Sequence, residues 1–198
     1  MISARLGIKD AARRASQIEG WMSPAELEWL ASVASRRTLI VEVGSWLGRS
    51  TKALACATSG VVYAVDHWKG SADGGTQAGL RRLGGPDKVF DKFREHLQVQ
   101  IRTGHCVPLR MDSATAIAEM SRRAGPKKVE LVFIDGDHRY ESVRRDIEAW
   151  RPLLTPGGLL CGHDYSGIWP GVVKAVNQLV PKRGVVPGTT IWWYKGPT

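Results

Sequence analysis

Residues 39–51, Leu-Ile-Val-Glu-Val-Gly-Ser-Trp-Leu-Gly-Arg-Ser-Thr, leave this chain few choices of fold. Four apolar residues, three of them β-branched, surround a glutamate and suit a strand buried on both faces. The run ends in Gly44-Ser45-Trp46-Leu47-Gly48, and Ser50-Thr51 opens a helical pattern. A strand, a glycine turn and a helix N-terminus together form a nucleotide-type pocket, because glycine lets backbone come close and the helix end offers unpaired N–H groups. Glu42 is the odd member. A carboxylate inside that strand repels a phosphate and suits a cationic ligand.

The near misses narrow the ligand. A P-loop places four residues between its glycines and follows them with Lys-Ser/Thr. Here three intervene, and Arg49 stands in the lysine's place. A dinucleotide fingerprint needs Gly-x-Gly-x-x-Gly, but Trp46 occupies the second glycine position. What remains is Glu-x-Gly-x-x-x-Gly, which resembles motif I of the class I S-adenosyl-L-methionine (SAM) methyltransferases. In that family the acid serves the amino end of SAM, which carries an ammonium and a sulfonium and no phosphate.

A chain of 198 residues, 43% hydrophobic and 24% charged, is expected to be soluble and globular with one sizeable core. No apolar run approaches the ~20 residues of a membrane span, so no membrane role is expected. The N-terminus lacks the apolar stretch of a signal peptide. The three cysteines are scattered, which argues against a disulfide framework or zinc cluster and points to a reducing cytoplasm. The net charge of +9 raises nucleic acid as a partner. Yet the basic residues come as dispersed pairs such as Arg36-Arg37 and Arg122-Arg123, as expected of solvated faces rather than a nucleic-acid tail.

Along the chain, residues 1–37 read as helical, with Ser23-Pro24-Ala25-Glu26 as a helix start. Strands are expected at 39–43, 61–65, 105–110, 129–134 and 159–161. Helices are expected at 50–58, 87–98, 113–122, from Tyr140 to Trp150, and at 172–179. A terminal hairpin joins Val185–Val186 to Thr190–Tyr194. Residues 69–87, with many glycines and no clear period, read as a mobile loop. The alternation implies an α/β, Rossmann-like, doubly wound and mostly parallel sheet, whose ligands bind beyond the C-terminal strand ends. Polar residues gather at those ends: Gly44-Ser45, Asp66-His67, Asp112-Ser113, Asp135-Gly136-Asp137-His138 and Gly162-His163-Asp164.

Each cluster has a chemistry. Asp66, 22 positions beyond Gly44, can accept both hydroxyls of a ribose or can cap a helix. Asp112 and Ser113 can meet an adenine amine or cap the helix at 113. Trp46 and Trp68 can wall the pocket or pack in the core. Asp135 and Asp164 crowd two carboxylates together, which calls for a proton or a cation between them. A hard divalent ion such as magnesium would serve, with Asp135 and Asp164 as ligands and His163 as a third, although imidazole suits a transition metal better. Such an ion would lower the pKa of a substrate hydroxyl. His138 is a candidate general base or a pocket-wall histidine, and Asp137 can cap the helix that begins near Tyr140.

Over roughly residues 20–194 the motifs resemble one branch of the class I methyltransferases. They are Val-Glu-Val-Gly-Ser-Trp-Leu-Gly-Arg-Ser-Thr, Val-Asp-His-Trp-Lys-Gly (65–70), Phe-Ile-Asp-Gly-Asp-His-Arg-Tyr-Glu-Ser-Val (133–143) and Leu-Thr-Pro-Gly-Gly-Leu-Leu-Cys-Gly-His-Asp-Tyr (154–165). That branch is similar to the metal-dependent small-molecule O-methyltransferases of the catechol and sugar or macrolide types. The resemblance implies a seven-stranded sheet whose last strand is antiparallel, with a helical segment at 1–37 and a SAM-binding domain at 38–198. It implies that SAM is bound by Glu42, Gly44 and Gly48 of motif I and by Asp66 at the ribose; Ser45, Trp46, His67, Asp112, Ser113 and Asp135, at the same strand ends, are expected to bind SAM beside them. It implies a metal ligand at Asp135 and, after strand five, an acidic or amide pair that falls on His163-Asp164. The first member of that pair departs from the family pattern. The expected activity is methyl transfer to a hydroxyl of a small molecule, with Asp135 and His138 at the reacting centre and residues 69–87 as a lid. The alternatives are a nucleic-acid methyltransferase and a non-catalytic module of the same fold. The N-terminal helices and exposed tryptophans could support a homodimer.

Overall fold

The computed structural model describes residues 5–71, 75–124 and 129–197. Its sheet runs β3 (Cys106–Arg110), β2 (Val61–Asp66), β1 (Leu39–Val43), β4 (Val129–Ile134), β5 (Leu154–Gly162), β7 (Trp192–Lys195), β6 (Gly184–Val185), in that spatial order. The pairs among β3, β2, β1, β4 and β5 are parallel, and β7 is antiparallel to both β5 and β6. The chain builds outward from β1 to β3 and then returns to lay β4 on the other side of β1. Strand order therefore reverses between β1 and β4, where a ligand crevice opens at the carboxyl ends.

Alternation along the strands divides the core in two. Ile40, Leu131 and Phe133 face the layer of α1 (Ile8–Ala15), α2 (Pro24–Ala34), α3 (Arg49–Ala57) and α5 (Pro86–His96). Val41, Val43, Val132, Ile134 and Leu160 face α7 (Ser113–Ala124), α8 (Tyr140–Trp150) and α9 (Pro170–Leu179). Both faces are dry, so β1 and β4 read as near-continuous apolar runs. Glu42 lies two residues from Ile40 and so points toward α3, where Ser50 and Thr51 wait for it.

The capping box expected at Ser23 is present: its hydroxyl accepts from Glu26 N, and the Glu26 carboxylate accepts from Ser23 N at 2.8 Å. The expected strands and helices appear with small shifts at their ends, and β5 is longer than expected, reaching back to Leu154. One expectation is corrected. Much of the segment read as a loop is a helix, α4 (Gly75–Leu83), while residues 72–74 lie outside the described set. Leu80 is buried in the core, and Gly79 packs so closely on the Trp46 indole that an added Cβ would lie 2.7 Å from it. A glycine at the position of that contact, Gly79, blurred the period. A short helix, α6 (Gln98–Arg102), also precedes β3 where the chain was expected simply to lead into the strand.

Candidate functional site

The register sets the site. Val43 pairs with Val65 and with Ile134, and Ile134 pairs with Gly162. The next residue of each strand, Gly44, Asp66, Asp135 and His163, therefore stands level at one edge. Hydrogen bonds extend the ladder one step further: Gly44 N to Val65 O (2.9 Å), Asp135 N to Val43 O (2.7 Å) and His163 N to Ile134 O (3.1 Å). A cavity of about 1000 Å3 opens above this edge. Gly44, Ser45, Trp46, Asp66, His67, Asp112, Ser113, Asp135, His138, His163 and Asp164 all line it, whereas Glu42 and Gly48 do not.

Gly44 has a left-handed backbone (φ 90°), and a Cβ there would lie 2.2 Å from the carbonyl oxygen of Asp135. Its lack of a side chain thus lets the β1 and β4 loops meet, a different service from the ligand approach anticipated. Gly48 is likewise spent on packing, since a Cβ would strike Leu97 at 2.4 Å. Gly44→Ala is expected to cost roughly 3 kcal/mol, combining left-handed strain with a backbone overlap. That corresponds to a melting temperature lowered by about 6–12 °C for a chain of this size. Gly7→Ala, with nothing within 4 Å of the new Cβ, should melt like the parent in the same calorimetric scan. Equal melting of all three proteins would refute the close approach.

Asp66 fastens the glycine turn. Its Oδ2 accepts from Ser45 N (3.0 Å) and Trp46 N (2.9 Å), and its Oδ1 accepts from Trp68 N (2.6 Å). Trp46 is left-handed (φ 46°), a conformation that persists only when neighbours enforce it. Asp66 and Trp68, whose Nε1 donates to Trp46 O at 2.7 Å, do so. Of the two tryptophans weighed as pocket walls, Trp68 is fully buried against Phe90 and Phe93 and belongs to the core. Trp46 lines the cavity and leans on Trp21, 6.2 Å away and 67% exposed. Arg49, the residue in the P-loop lysine position, donates to the carbonyls of Met22 and Ser16 (3.0 Å each) and so pins the α1–α2 loop over the mouth.

Glu42 is wholly buried beneath the turn. Its Oε2 accepts from Ser45 Oγ (2.7 Å) and from Thr51 Oγ1, while Oε1 has no hydrogen-bond partner among the described residues. Burial pushes its carboxyl up to about 7, against the pull of the Ser50, Thr51 and Ser45 hydroxyls. Asp112 caps α7, accepting from Thr115 N (2.9 Å) and Thr115 Oγ1 (2.8 Å), and these bonds lower its pKa. Ser113 donates to Asp146 (2.6 Å) and accepts from Trp150 Nε1 (2.8 Å). The capping alternative for Asp112 thus accounts for its carboxylate. His67 accepts from Lys69 N at 3.0 Å. Asp137 pairs with Arg139 and accepts from its backbone N (2.9 Å) just ahead of α8.

The β4 and β5 ends build a charge network. His163 is 8% exposed. Its Nε2 lies 3.1 Å from Glu26 Oε1, and its Nδ1 lies 3.3 Å from Asp164 Oδ1 and 3.5 Å from Asp135 Oδ1. Burial opposes a charge on the ring, but the Asp135, Asp164 and Glu26 carboxylates outweigh it and hold the imidazolium up to about 12. Burial likewise raises Glu26, but the His163 hydrogen bond, the backbone N–H groups of Ser23 and Thr190 and the His163 charge together outweigh it and bring the carboxyl down to about 2. Asp164 is held well below the usual carboxylate range by His138 and His163 in spite of burial. Burial and the charge of Asp164 push Asp135 up, while His163 and His138 pull it down. The Nε2 of His138 lies 2.7 Å from Asp164 Oδ2, and its ring stacks on Trp169 at 3.9 Å. Asp135, His138 and Asp164 each offer one ligand atom within 4.8 Å of the others. Sequence reasoning missed Glu26, Asp146 and Trp169. The first lies 137 residues from its partner, and no local pattern joins them.

A family described as a methyltransferase domain matches residues 41–165, more than half of the chain. An uncharacterized protein of Sinorhizobium fredii is 27% identical over 152 residues, covering 71% of this chain and 15% of its own length. The chain spans under a third of the length of the curated relatives it matches. Among solved structures it is similar to the calicheamicin methyltransferase CalS11, with a TM-score of 0.62, 14% identity, and 94% and 91% of the two chains covered. It is also similar to an O-methyltransferase of Bacillus cereus in complex with SAH, with a TM-score of 0.62, 13% identity, and 94% and 89% covered. At such identities the likeness speaks for the fold, and the match over β1 to β5 speaks for the family: this chain belongs to the methyltransferase-domain family.

Proposed function

We propose that this chain transfers the methyl group of SAM to a hydroxyl of a small molecule. The observation that carries this reading is the cavity itself, acidic at the β1–β2 end through Asp66 and the buried Glu42 and bearing the His138–Asp164 pair at the β4–β5 end. Its volume lies at the top of the ~300–1,000 Å3 range of small-molecule sites and leaves room for a donor and an acceptor. The unpartnered Glu42 Oε1 suits a cationic donor. Gly44, Ser45, Trp46 and Asp66 would hold that donor, with His67, Asp112 and Ser113 beside them, while Glu42 acts from below the turn and Gly48 through the geometry of α3. When bound, SAM supplies an electrophilic methyl group on a sulfonium. Trp21 and Trp46 shield the reacting groups from water, and Gly70–Ser71 and Gly75–Gln77 complete a cover over the mouth. Asp164, 2.7 Å from His138 Nε2, orients that ring at the cavity wall, and the pair serves as the general base that takes the acceptor's hydroxyl proton.

The magnesium expected from the sequence is not part of this reading, because its place between the carboxylates is taken by His163. Nucleic acid is not favoured as the acceptor: the basic residues behind the +9 charge are dispersed along the chain, and several surface arginines stand beside acids, as in Arg82–Glu19, Arg110–Asp87, Arg123–Glu119 and Arg144–Glu148. The buried, unpaired cysteines Cys56, Cys106 and Cys161 suit work in the cytoplasm. Release of S-adenosylhomocysteine from SAM, screened over phenols, sugars and other hydroxylated small molecules, tests the reading. Methylation of RNA or DNA alone would transfer the assignment to the nucleic-acid alternative, and SAM binding without turnover on any acceptor would favour a non-catalytic module.

Glu42 gives this reading a pH signature. In the free protein its carboxyl is protonated below about 7, whereas a cationic donor favours the carboxylate. Binding therefore releases a proton in acid and tightens as pH rises. Affinity for SAM at pH 6 should be about tenfold weaker than at pH 8, and Glu42→Gln should flatten that slope. Calorimetry in buffers of different ionisation heat would register the released proton. Identical pH dependence in both proteins would remove Glu42 from donor binding.

A further inference from the structure

The sequence calls for a cation between Asp135 and Asp164, and the fold provides one of its own. Both nitrogens of His163 face carboxylate oxygens: Glu26 at 3.1 Å on one side, Asp164 at 3.3 Å and Asp135 at 3.5 Å on the other. A carboxylate only accepts, so a ring that donates to Glu26 from Nε2 and turns Nδ1 toward Asp164 and Asp135 carries a proton on each nitrogen. Resting on the methyl-transfer reading above, we propose that His163 is a built-in cation that stands where a divalent metal would otherwise join Asp135 to Asp164, so that the reaction needs no bound metal ion.

The surroundings of the ring agree. Glu26 is itself fixed on every side: Oε2 accepts from Ser23 N (2.8 Å) and Ser23 Oγ (2.9 Å), and Oε1 accepts from Thr190 N (3.1 Å) and Thr190 Oγ1 (3.3 Å). The imidazolium is thereby held by α2 on one side and by the turn before β7 on the other. From there it contacts Asp135 and Asp164 from the core side, and Asp164 passes the positioning on to His138 (2.7 Å). A magnesium or calcium ion needs several hard oxygen ligands. Here it would share both carboxylates with a positive ring less than 4 Å from each, and the repulsion in a partly buried site is severe. The remaining candidate donor, His138 Nε2, is already committed to Asp164. The donor set does not fit a hard cation. His163 is a positioning residue in this scheme, and Glu26 makes the N-terminal helices a working part of the site rather than an appendage.

Metal binding by the protein itself decides the matter, whether or not an acceptor has been found. Manganese(II) titrated into the purified chain and followed by electron paramagnetic resonance, with magnesium followed by calorimetry, should give no saturable binding up to about 1 mM. His163→Asp replaces the ring by a third carboxylate and should gain manganese binding at least ~10-fold tighter than the parent. Should that variant fold poorly, Glu26→Gln added to it removes the stranded buried charge, and the parent titration needs no variant. Stoichiometric, EDTA-reversible binding of manganese or magnesium by the parent at micromolar concentration would overturn the proposal. So would a His163→Asp protein whose metal affinity equals that of the parent.

Discussion

Asp66→Ala should lose SAM affinity by at least ~100-fold. The carboxylate accepts from three backbone N–H groups, those of Ser45, Trp46 and Trp68. Each partly buried donor left without a partner costs about 1–3 kcal/mol. Loss of these bonds releases Trp46 from its left-handed backbone, and the turn that forms the donor wall relaxes. The same carboxylate lies in the cavity wall, so its remaining lone pairs are lost to the ribose as well. Asp66→Asn retains one acceptor oxygen and should fall between the parent and the alanine variant. Isothermal calorimetry with SAM, run beside a thermal melt, separates the two consequences. The expected result is a folded protein, somewhat less stable, with affinity moved from the micromolar into the millimolar range. Unchanged SAM affinity in Asp66→Ala would mean that the donor binds elsewhere.

His138→Ala should lower kcat by roughly 10²–10⁴-fold, the usual contribution of a positioned base, and leave SAM affinity near that of the parent. The two effects separate because His138 stands at the β4–β5 end of the cavity and Asp66 at the β1–β2 end, on opposite sides of the switch point. Asp164→Asn should reproduce part of the loss, since it removes the charge that orients the ring and favours the imidazolium formed when the proton arrives. Steady-state kinetics on any hydroxylated acceptor found in the screen, with the methyl donor saturating, provides the comparison. A His138→Ala enzyme with parental kcat would assign the ring the role of pocket wall.

Much of this could be read from the residues in order. β1 and β4 announce themselves because they are dry on both faces, and the polar residues that follow each strand mark one sheet edge because the strands are parallel. Three things could not be read that way. The sense of Glu42 was legible only in part: alternation with Ile40 puts it on the α3 side, but that its Oε1 would be left unpartnered depends on where Ser50 and Thr51 fall. The glycines of the turn looked like openings toward a ligand, yet Gly44 and Gly48 answer to Asp135 and Leu97, contacts that form only when distant segments pack. The charge of His163 was hidden most deeply. Its neighbours Asp135 and Asp164 suggested a missing cation, but the carboxylate that holds the ring in place, Glu26, had already been explained by its capping box. One side chain serving two structural ends leaves a single signal in the sequence.

The account rests on the cavity above Gly44 and Asp66 being the seat of the methyl donor. A crystal grown with S-adenosylhomocysteine tests this most directly. The expected density has the ribose against Asp66 and the amino-acid end over the Gly44–Trp46 turn, with the sulfur directed toward His138. A complex in which the ligand lies outside this cavity, or crystals that stay free of it at millimolar concentration, would contradict the assignment.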